Sequence, residues 1–227
     1  MATTHFSKAS FKFLNDLKKN NTRPWFQENK DRYDLMNTEA KGFIAALEKK
    51  MNEEDQIERA KLFRIYRDVR FSKDKTPYKS FISMSLSREK PQLRGGYYLQ
   101  ISPGNESVLA CGFWNPSPAD LKLIRQNIDY DTNNFIKAIN APSVLKHFGN
   151  LQGDQVKSAP KGYRKDHPAI EWLRFKQLIF SKSLSDIDIQ SESFLNQVVD
   201  SYKAIRPFFD YMSDMLTHDI NGVPLYE

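Results

Sequence analysis

Apolar residues recur at helical spacing in residues 6–19, which predicts a short amphipathic helix near the start of the chain. Thr22 followed by Pro24 is typical of a second helix start, because threonine caps free backbone N–H groups and proline fits the first turn. The helical pattern continues to Leu47. The polar, acidic stretch 51–58 is then predicted to be a connection.

Alternating polar and apolar residues dominate the middle of the chain. Residues 62–71 fit a strand or a helix by period, and a strand is favoured because Pro77 follows too closely for a long helix. Residues 81–88 alternate serine with apolar side chains, which suits an adjacent antiparallel strand. Residues 97–101 and 108–114 are predicted to form a hairpin around a Ser-Pro-Gly-Asn turn.

Helical signals return after the hairpin. Ser117, Pro118 and Asp120 supply a cap, a first-turn proline and a first-turn acid, so a helix is predicted over 118–128. The other predicted elements are a helix after Asp131, a short helix at 143–148, a helix capped by Asp166, a strand at 176–183 and C-terminal helices from Ser191 interrupted at Pro207.

Strands grouped centrally, with helices before and after them, predict an α+β fold with a central, mainly antiparallel sheet. At 227 residues, 40% of them hydrophobic, the chain is long enough to bury one substantial core. Neither a repeat nor a low-complexity linker interrupts it. A single domain over residues 1–227 is therefore predicted.

Charge is unevenly distributed along the chain. The net charge of +6 admits polyanions, phosphorylated metabolites and acidic proteins as partners. Residues 61–79 carry seven basic and two acidic side chains, and residues 157–176 carry six and two, so the rest of the chain is net acidic. A protein that binds nucleic acid over its whole surface would not have a net acidic charge outside these two segments. The positive charge is therefore focused in two segments.

The lone Cys111 excludes an internal disulfide and fits a reducing compartment. The first residues lack the apolar core of a signal peptide, and no apolar run approaches the roughly 18 residues of a membrane-spanning helix. We therefore expect a cytoplasmic protein without a membrane partner. The oligomeric state stays open.

The segment 63–79 concentrates the groups best suited to chemistry. Its basic residues are Arg64, Arg67, Arg70, Lys73, Lys75 and Lys79. Two aspartates, including Asp68, and three aromatic residues, including Tyr78, lie among them. Arginines at three-residue steps beside an aspartate indicate fixed bidentate geometry, which lysine cannot reproduce.

The same segment resembles the signature Arg-x-x-Arg-Asp-x-Arg-Phe-x-x-x-Lys-x-Pro-Tyr-Lys of a widespread, uncharacterised bacterial family, a domain of unknown function. The similarity extends to Asn-x-Arg-x-Trp-Phe at 21–26, Pro-Lys-Gly-Tyr at 160–163 and Asp-His-Pro at 166–168. It therefore covers nearly the whole chain. The resemblance implies family membership but no activity, substrate or cofactor.

The residues themselves suggest that the two basic segments meet and bind the phosphate or carboxylate group of a small ligand. The predicted ligand-binding residues are Arg64, Arg67, Arg70, Lys73, Lys75, Tyr78, Lys79, Lys161 and Tyr163. The alternative is a structural network in which the arginines pair with the protein's own carboxylates.

Two further function classes stay open. Aromatic residues among basic ones would suit base stacking with backbone neutralisation, and hence nucleic-acid binding. Against this, no helix-turn-helix, zinc-finger or RNP-like sequence is evident. The other class is a non-enzymatic module that binds an acidic protein partner.

Candidates for catalysis are few, and whether the protein is an enzyme stays open. His167, preceded by Asp166, is a candidate acid or base, whereas Asp68 is better suited to orienting an arginine than to acting as a base. Cys111 lies in an apolar stretch and is expected to be a buried thiol. The common zinc, calcium, dinucleotide, P-loop and serine-hydrolase motifs do not occur, so neither a metal site nor a cofactor is predicted.

Overall fold

A β-sheet is the central feature of the fold. The computed structural model describes residues 3–219 and 221–226, and within them the sheet has five strands in the order β1-β2-β3-β4-β5. The strands are β1 (Ile57–Leu62), β2 (Ile82–Arg88), β3 (Gly96–Ile101), β4 (Ser107–Phe113) and β5 (Leu178–Leu184). The sheet is antiparallel and has helices before and after it in sequence, so the predicted α+β fold is confirmed.

Helices precede β1, connect β4 to β5 and follow β5. Within the described ranges they are α1 (Lys8–Lys19), α2 (Arg23–Glu28), α3 (Lys30–Met51), α4 (Pro118–Tyr130), α5 (Thr132–Ile139), α6 (Pro142–Phe148), α7 (Ile170–Leu173), α8 (Asp186–Ile189), α9 (Phe194–Ala204) and α10 (Arg206–Thr217). Two of the predicted caps are confirmed, since the hydroxyls of Thr22 and Ser117 accept hydrogen bonds from the N–H groups of Trp25 and Asp120.

Some boundaries differ from the prediction. β1 begins at Ile57, inside the predicted connection, and the predicted strand at 62–71 keeps main-chain pairing only as far as Arg67. Because β1 is an edge strand, it tolerates charged residues, and its polar sequence reads as a connection. The predicted cap on α7 is wrong: the carboxylate of Asp166 binds the guanidinium of Arg164 instead, at 2.7 and 2.9 Å.

Contacts between residues divide the chain into two compact units. The first contains the described residues up to Leu86, together with Tyr98–Leu109 and Ser183–Asp200. The second contains Ser87–Tyr97, Ala110–Lys182 and the described residues from Ser201 onward. The single domain over residues 1–227 stays a prediction.

The core of the first unit is rich in aromatic rings. Phe6, Phe43 and Phe194 are fully buried, and the Phe43 ring centroid lies 5.1 Å from that of Phe6 and 5.3 Å from that of Phe194. The buried Phe13 of α1 stacks on Trp25 of α2 with a centroid distance of 5.9 Å. This packing holds the start of α2 in place, and the start of α2 in turn contacts the basic segment.

A buried arginine marks the core of the second unit. Arg88 at the end of β2 has no solvent exposure, and its guanidinium lies 5.5 Å from the ring centroid of Phe209. It donates to the carboxylate of Asp210 at 2.8 Å, to the Ser213 hydroxyl at 3.2 Å and to the carbonyl of Arg94 at 3.1 Å. These bonds offset part of the large cost of removing a charge from water.

Candidate functional site

The basic segment is a narrow hairpin that extends β1 and β2 within the first unit. The N–H of Phe63 donates to the Ser83 carbonyl at 2.9 Å, that of Lys79 to the Ile65 carbonyl at 2.8 Å, and that of Arg67 to the Pro77 carbonyl at 2.9 Å. Residues 68–76 form the loop at its tip. We call residues 63–83 the basic hairpin.

Asn21 joins the basic hairpin to the start of α2. Its side-chain amide donates to the Tyr78 carbonyl at 2.9 Å and accepts from the Tyr78 N–H at 3.1 Å, as a neighbouring strand would. The Tyr78 ring stacks on Phe26, with centroids 3.9 Å apart and an interplanar angle of 11°. Tyr66 packs against both of these rings. The segments at 21–26 and 63–83 are therefore one structural element.

Two of the three signature arginines bind carboxylates of their own loop. Arg70 forms a fork with Asp68, with bonds of 2.9 and 2.6 Å, and Arg67 pairs with Asp74. The bond from Arg70 holds the pKa of Asp68 below its usual value, and hydrogen bonds from Thr76 and Arg67 do the same for Asp74. Asp68 therefore orients Arg70. The scaffold alternative describes these two arginines better than a ligand-binding role.

Lys75 also has a partner within the loop, because its ammonium donates to the Val69 carbonyl at 2.9 Å. Lys73 is exposed. Phe71 is the most exposed large apolar side chain of the described residues, at 96%, and Tyr66 is 49% exposed. The tip of the hairpin therefore presents an aromatic ring to solvent among cations.

A second group of cations lies nearer the base of the hairpin. The Lys79 ammonium is 5.7 Å from the ring centroid of Phe63, and the Lys61 ammonium is 4.9 Å from the same ring. Burial lowers the pKa of Lys79, and the charges of Arg64, Arg67 and Lys61 lower it further. We call Lys61, Arg64 and Lys79 the Lys79 cluster. Among the described residues, no carboxylate forms an ion pair with any of its three members.

Lys161, Tyr163 and His167 belong to the second unit. Lys161 is exposed, and the Tyr163 ring packs edge-on against His167 with a centroid distance of 5.8 Å. Burial raises the pKa of the Tyr163 hydroxyl. Because the two basic segments lie in different units, their meeting at one ligand stays a prediction.

Both ring nitrogens of His167 are occupied. Nε2 lies 2.9 Å from the Asp129 carboxylate, and Nδ1 accepts from the Ala169 N–H at 3.1 Å. This pattern fits the neutral tautomer with the proton on Nε2. Such a ring has no nitrogen left to take a proton from a substrate, so the geometry favours a structural role over an acid-base one.

Other chemistry finds little support in the described part of the chain. Cys111 is buried as expected, and burial raises the pKa of its thiol well above the usual value. Across residues 3–219 and 221–226, no three His, Cys, Asp or Glu side chains are grouped to hold a metal ion. None of the helices described there combines the length and apolar character needed to cross a bilayer.

Two features of this site are not among the sequence predictions. Lys61 contributes to the local charge but is not among the predicted ligand-binding residues, although its spacing from Phe63 on an extended chain is a signal for a shared face. Asp129, the partner of His167, is separated from it by 38 residues, and sequence alone carries no signal for that pairing.

An antiparallel sheet with helices before and after it, extended at one edge by a basic hairpin, defines an α+β protein with a cation-rich surface. The family model described as conserved hypothetical protein (DUF2461) matches residues 9–211, and the chain belongs to this family. The resemblance to a family of unknown function is thus confirmed. No curated protein and no solved structure matches the chain significantly.

Proposed function

We propose that the protein binds a small molecule through its phosphate or carboxylate group, at the Lys79 cluster. The observation that supports this is the setting of Lys79: its ammonium lies 5.7 Å from the Phe63 ring centroid, and burial and the charges of Arg64, Arg67 and Lys61 lower its pKa. Among the described residues, a carboxylate forms an ion pair with only one of these four cations, Arg67. Holding like charges together is unfavourable, and a bound anion would remove that cost. We therefore expect the Lys79 cluster to bind the anionic group of a ligand.

The cations of the basic hairpin differ in whether they already bind a carboxylate. Arg67 and Arg70 already bind Asp74 and Asp68, so a ligand would have to displace a carboxylate there. Arg64 and Lys79 bind a ligand at no such cost. A hydrogen bond to a charged group contributes about 1.5–3 kcal/mol, so two such contacts are enough for measurable affinity.

Lys79→Gln and Arg64→Gln are each expected to weaken binding of inorganic phosphate or citrate at least about tenfold, because each removes a cation that contacts the anion. Chemical-shift titration of the isotope-labelled protein measures both affinity and location. Lys49→Gln, an exposed lysine on α3 in the same unit, is the matched control and should leave binding unchanged.

The same titration has a pH signature. Lys79 must be protonated to attract the anion, and its pKa is lowered in the free protein. Over the pH range in which the anion keeps its charge, affinity should therefore be full below that lowered pKa and should fall as pH rises through it, at a lower pH than an ordinary lysine would give. Equal affinity of folded wild-type protein and Lys79→Gln, at every pH, would overturn the proposal.

Nucleic-acid binding is a second candidate, favoured by the exposure of Phe71 in the loop at the hairpin tip and of Tyr66 in the paired part of the hairpin. Stacking of a base on an aromatic ring is worth about 1–3 kcal/mol. Phe71→Ala should therefore weaken binding of a fluorescent oligothymidine roughly tenfold in anisotropy titrations, while phosphate binding is unchanged. Retention of full oligonucleotide affinity in Phe71→Ala would remove this candidate.

A further inference from the structure

A cavity of ≈ 450 Å³ lies within the second unit, and its lining contains none of the predicted ligand-binding residues. Its volume falls within the range of about 300–1,000 Å³ that small-molecule sites occupy. Part of its lining is glycine backbone at Gly95, Gly96 and Gly112. A Cβ atom on Gly95 would lie 2.9 Å from the Phe209 ring, and one on Gly112 would lie 2.8 Å from the Cα of Ile179. The packing against Phe209 and β5 thus requires glycine at both positions.

Trp114 is the more exposed of the two aromatic residues that line the cavity, the other being Phe113. It follows β4, lines the cavity and is 38% exposed, so part of this residue is accessible to a ligand. The next residue, Asn115, has a left-handed backbone with φ 49°, and its side-chain oxygen accepts from the Gln177 amide at 2.9 Å. This bond fixes the turn that carries the indole, which reduces the entropy cost of stacking a ring on it.

An ion pair supplies the polar part of the lining. Arg94 and Asp120 are joined at 2.7 Å, and their side chains are only 13% and 21% exposed. The Arg94 N–H also donates to the Ser213 hydroxyl at 2.9 Å, which holds this residue in place. Because the charges cancel, the pair does not favour a simple anion. It offers a hydrogen-bond donor and an acceptor side by side, which suits the uncharged edge of a ligand that also carries one donor and one acceptor.

Lys90 is the remaining charged residue of the lining. It is exposed, and no ion pair to it forms within residues 3–219 and 221–226. A flexible, strongly hydrated ammonium at a cavity mouth suits a phosphate group as a point charge. The cavity therefore combines one flat surface, one donor-acceptor pair and one free cation.

We propose that this cavity, which we call the Trp114 pocket, binds a mononucleotide, with the base stacked on Trp114, its polar edge at the Arg94–Asp120 pair and its phosphate at Lys90. Stacking on an aromatic side chain and hydrogen bonding of a base edge are the usual means of recognising a nucleobase. This inference is independent of the Lys79 cluster, which lies in the other unit.

The test is a titration of the full chain with AMP and with GMP, followed by tryptophan fluorescence and by calorimetry. We expect saturable quenching, because one of the three tryptophans contacts the base. Trp114→Ala should weaken nucleotide binding at least tenfold. Trp114→Phe should keep most of the affinity but lose the quenching, since phenylalanine still stacks.

A second variant tests the place of the phosphate. Lys90→Gln should weaken AMP binding severalfold and leave adenosine binding unchanged, and Lys146→Gln, an exposed lysine of α6, should change neither. Absence of binding of both nucleotides to the folded wild-type protein would overturn the proposal. It would also be overturned if AMP bound Trp114→Ala as tightly as wild type. If Lys79→Gln then abolished AMP binding, the nucleotide would occupy the Lys79 cluster and not the Trp114 pocket.

Discussion

Arg88→Ala is expected to lower the free energy of unfolding by about 3–5 kcal/mol, a large fraction of the stability of an ordinary domain. The substitution removes a fully buried side chain together with its bonds to Asp210, Ser213 and the Arg94 carbonyl. It leaves a cavity beside Phe209 and takes away the donors that these acceptors now use. Denaturant unfolding followed by circular dichroism measures the loss.

Two controls separate burial from ion pairing. Arg164→Ala breaks another arginine–aspartate pair of the same unit, but there the side chains are 85% and 69% exposed. It should leave the unfolding midpoint unchanged, because exposed ion pairs contribute little. Arg88→Met should be less damaging than Arg88→Ala, since methionine fills part of the space. If the exposed and buried variants lost equal stability, burial would not be the cause.

Gly112→Ala is the second substitution with a large expected effect. Gly112 lies in β4 at φ 152°, and a Cβ atom there would overlap the Leu178 carbonyl of β5. Because the obstacle is backbone, one of the two strands must move, which breaks part of their pairing. We expect a loss of about 4 kcal/mol or more, measured as a fall in Tm of roughly 10 °C.

Gly104→Ala is the matched control for Gly112→Ala. Gly104 also has a positive φ, 87°, but nothing lies within 4 Å of the position that a Cβ atom would take. The cost should therefore be only the backbone preference of glycine, about 1 kcal/mol. Equal losses at the two positions would show that φ alone, and not the close approach of β5, explains the effect.

Local signals in the sequence predicted most elements of the fold, and the exceptions have physical causes. The caps at Thr22 and Ser117 depend on contacts within three residues, so the local sequence is enough to predict them. The sequence of β1 predicts a connection because an edge strand needs no continuous apolar face. The sequence predicts Asp166 at a helix start because it does not show that Arg164 competes for the carboxylate.

The candidate site was less predictable than the fold. The sequence identifies the basic hairpin by its density of charge, but the choice among its cations depends on which carboxylates fold next to them. Arg70 has its partner two residues away, whereas Lys79 has no carboxylate partner in the described part of the chain. The Trp114 pocket could not be predicted, because its lining is assembled from separate strands and loops whose sequences carry no shared pattern.

The bond pair between Asn21 and Tyr78 has a consequence for how the chain folds. These residues are 57 positions apart, so closing that loop has an entropic cost that short-range hairpin contacts do not share. The ends of β1 and β2 can pair early, because their contacts are short in sequence. The rings of Tyr78 and Phe26 can stack only after the N-terminal helices dock. We therefore expect the basic hairpin to become fully ordered only late in folding. Before the N-terminal helices dock, its arginine side chains would extend from a hairpin that has no tertiary contacts.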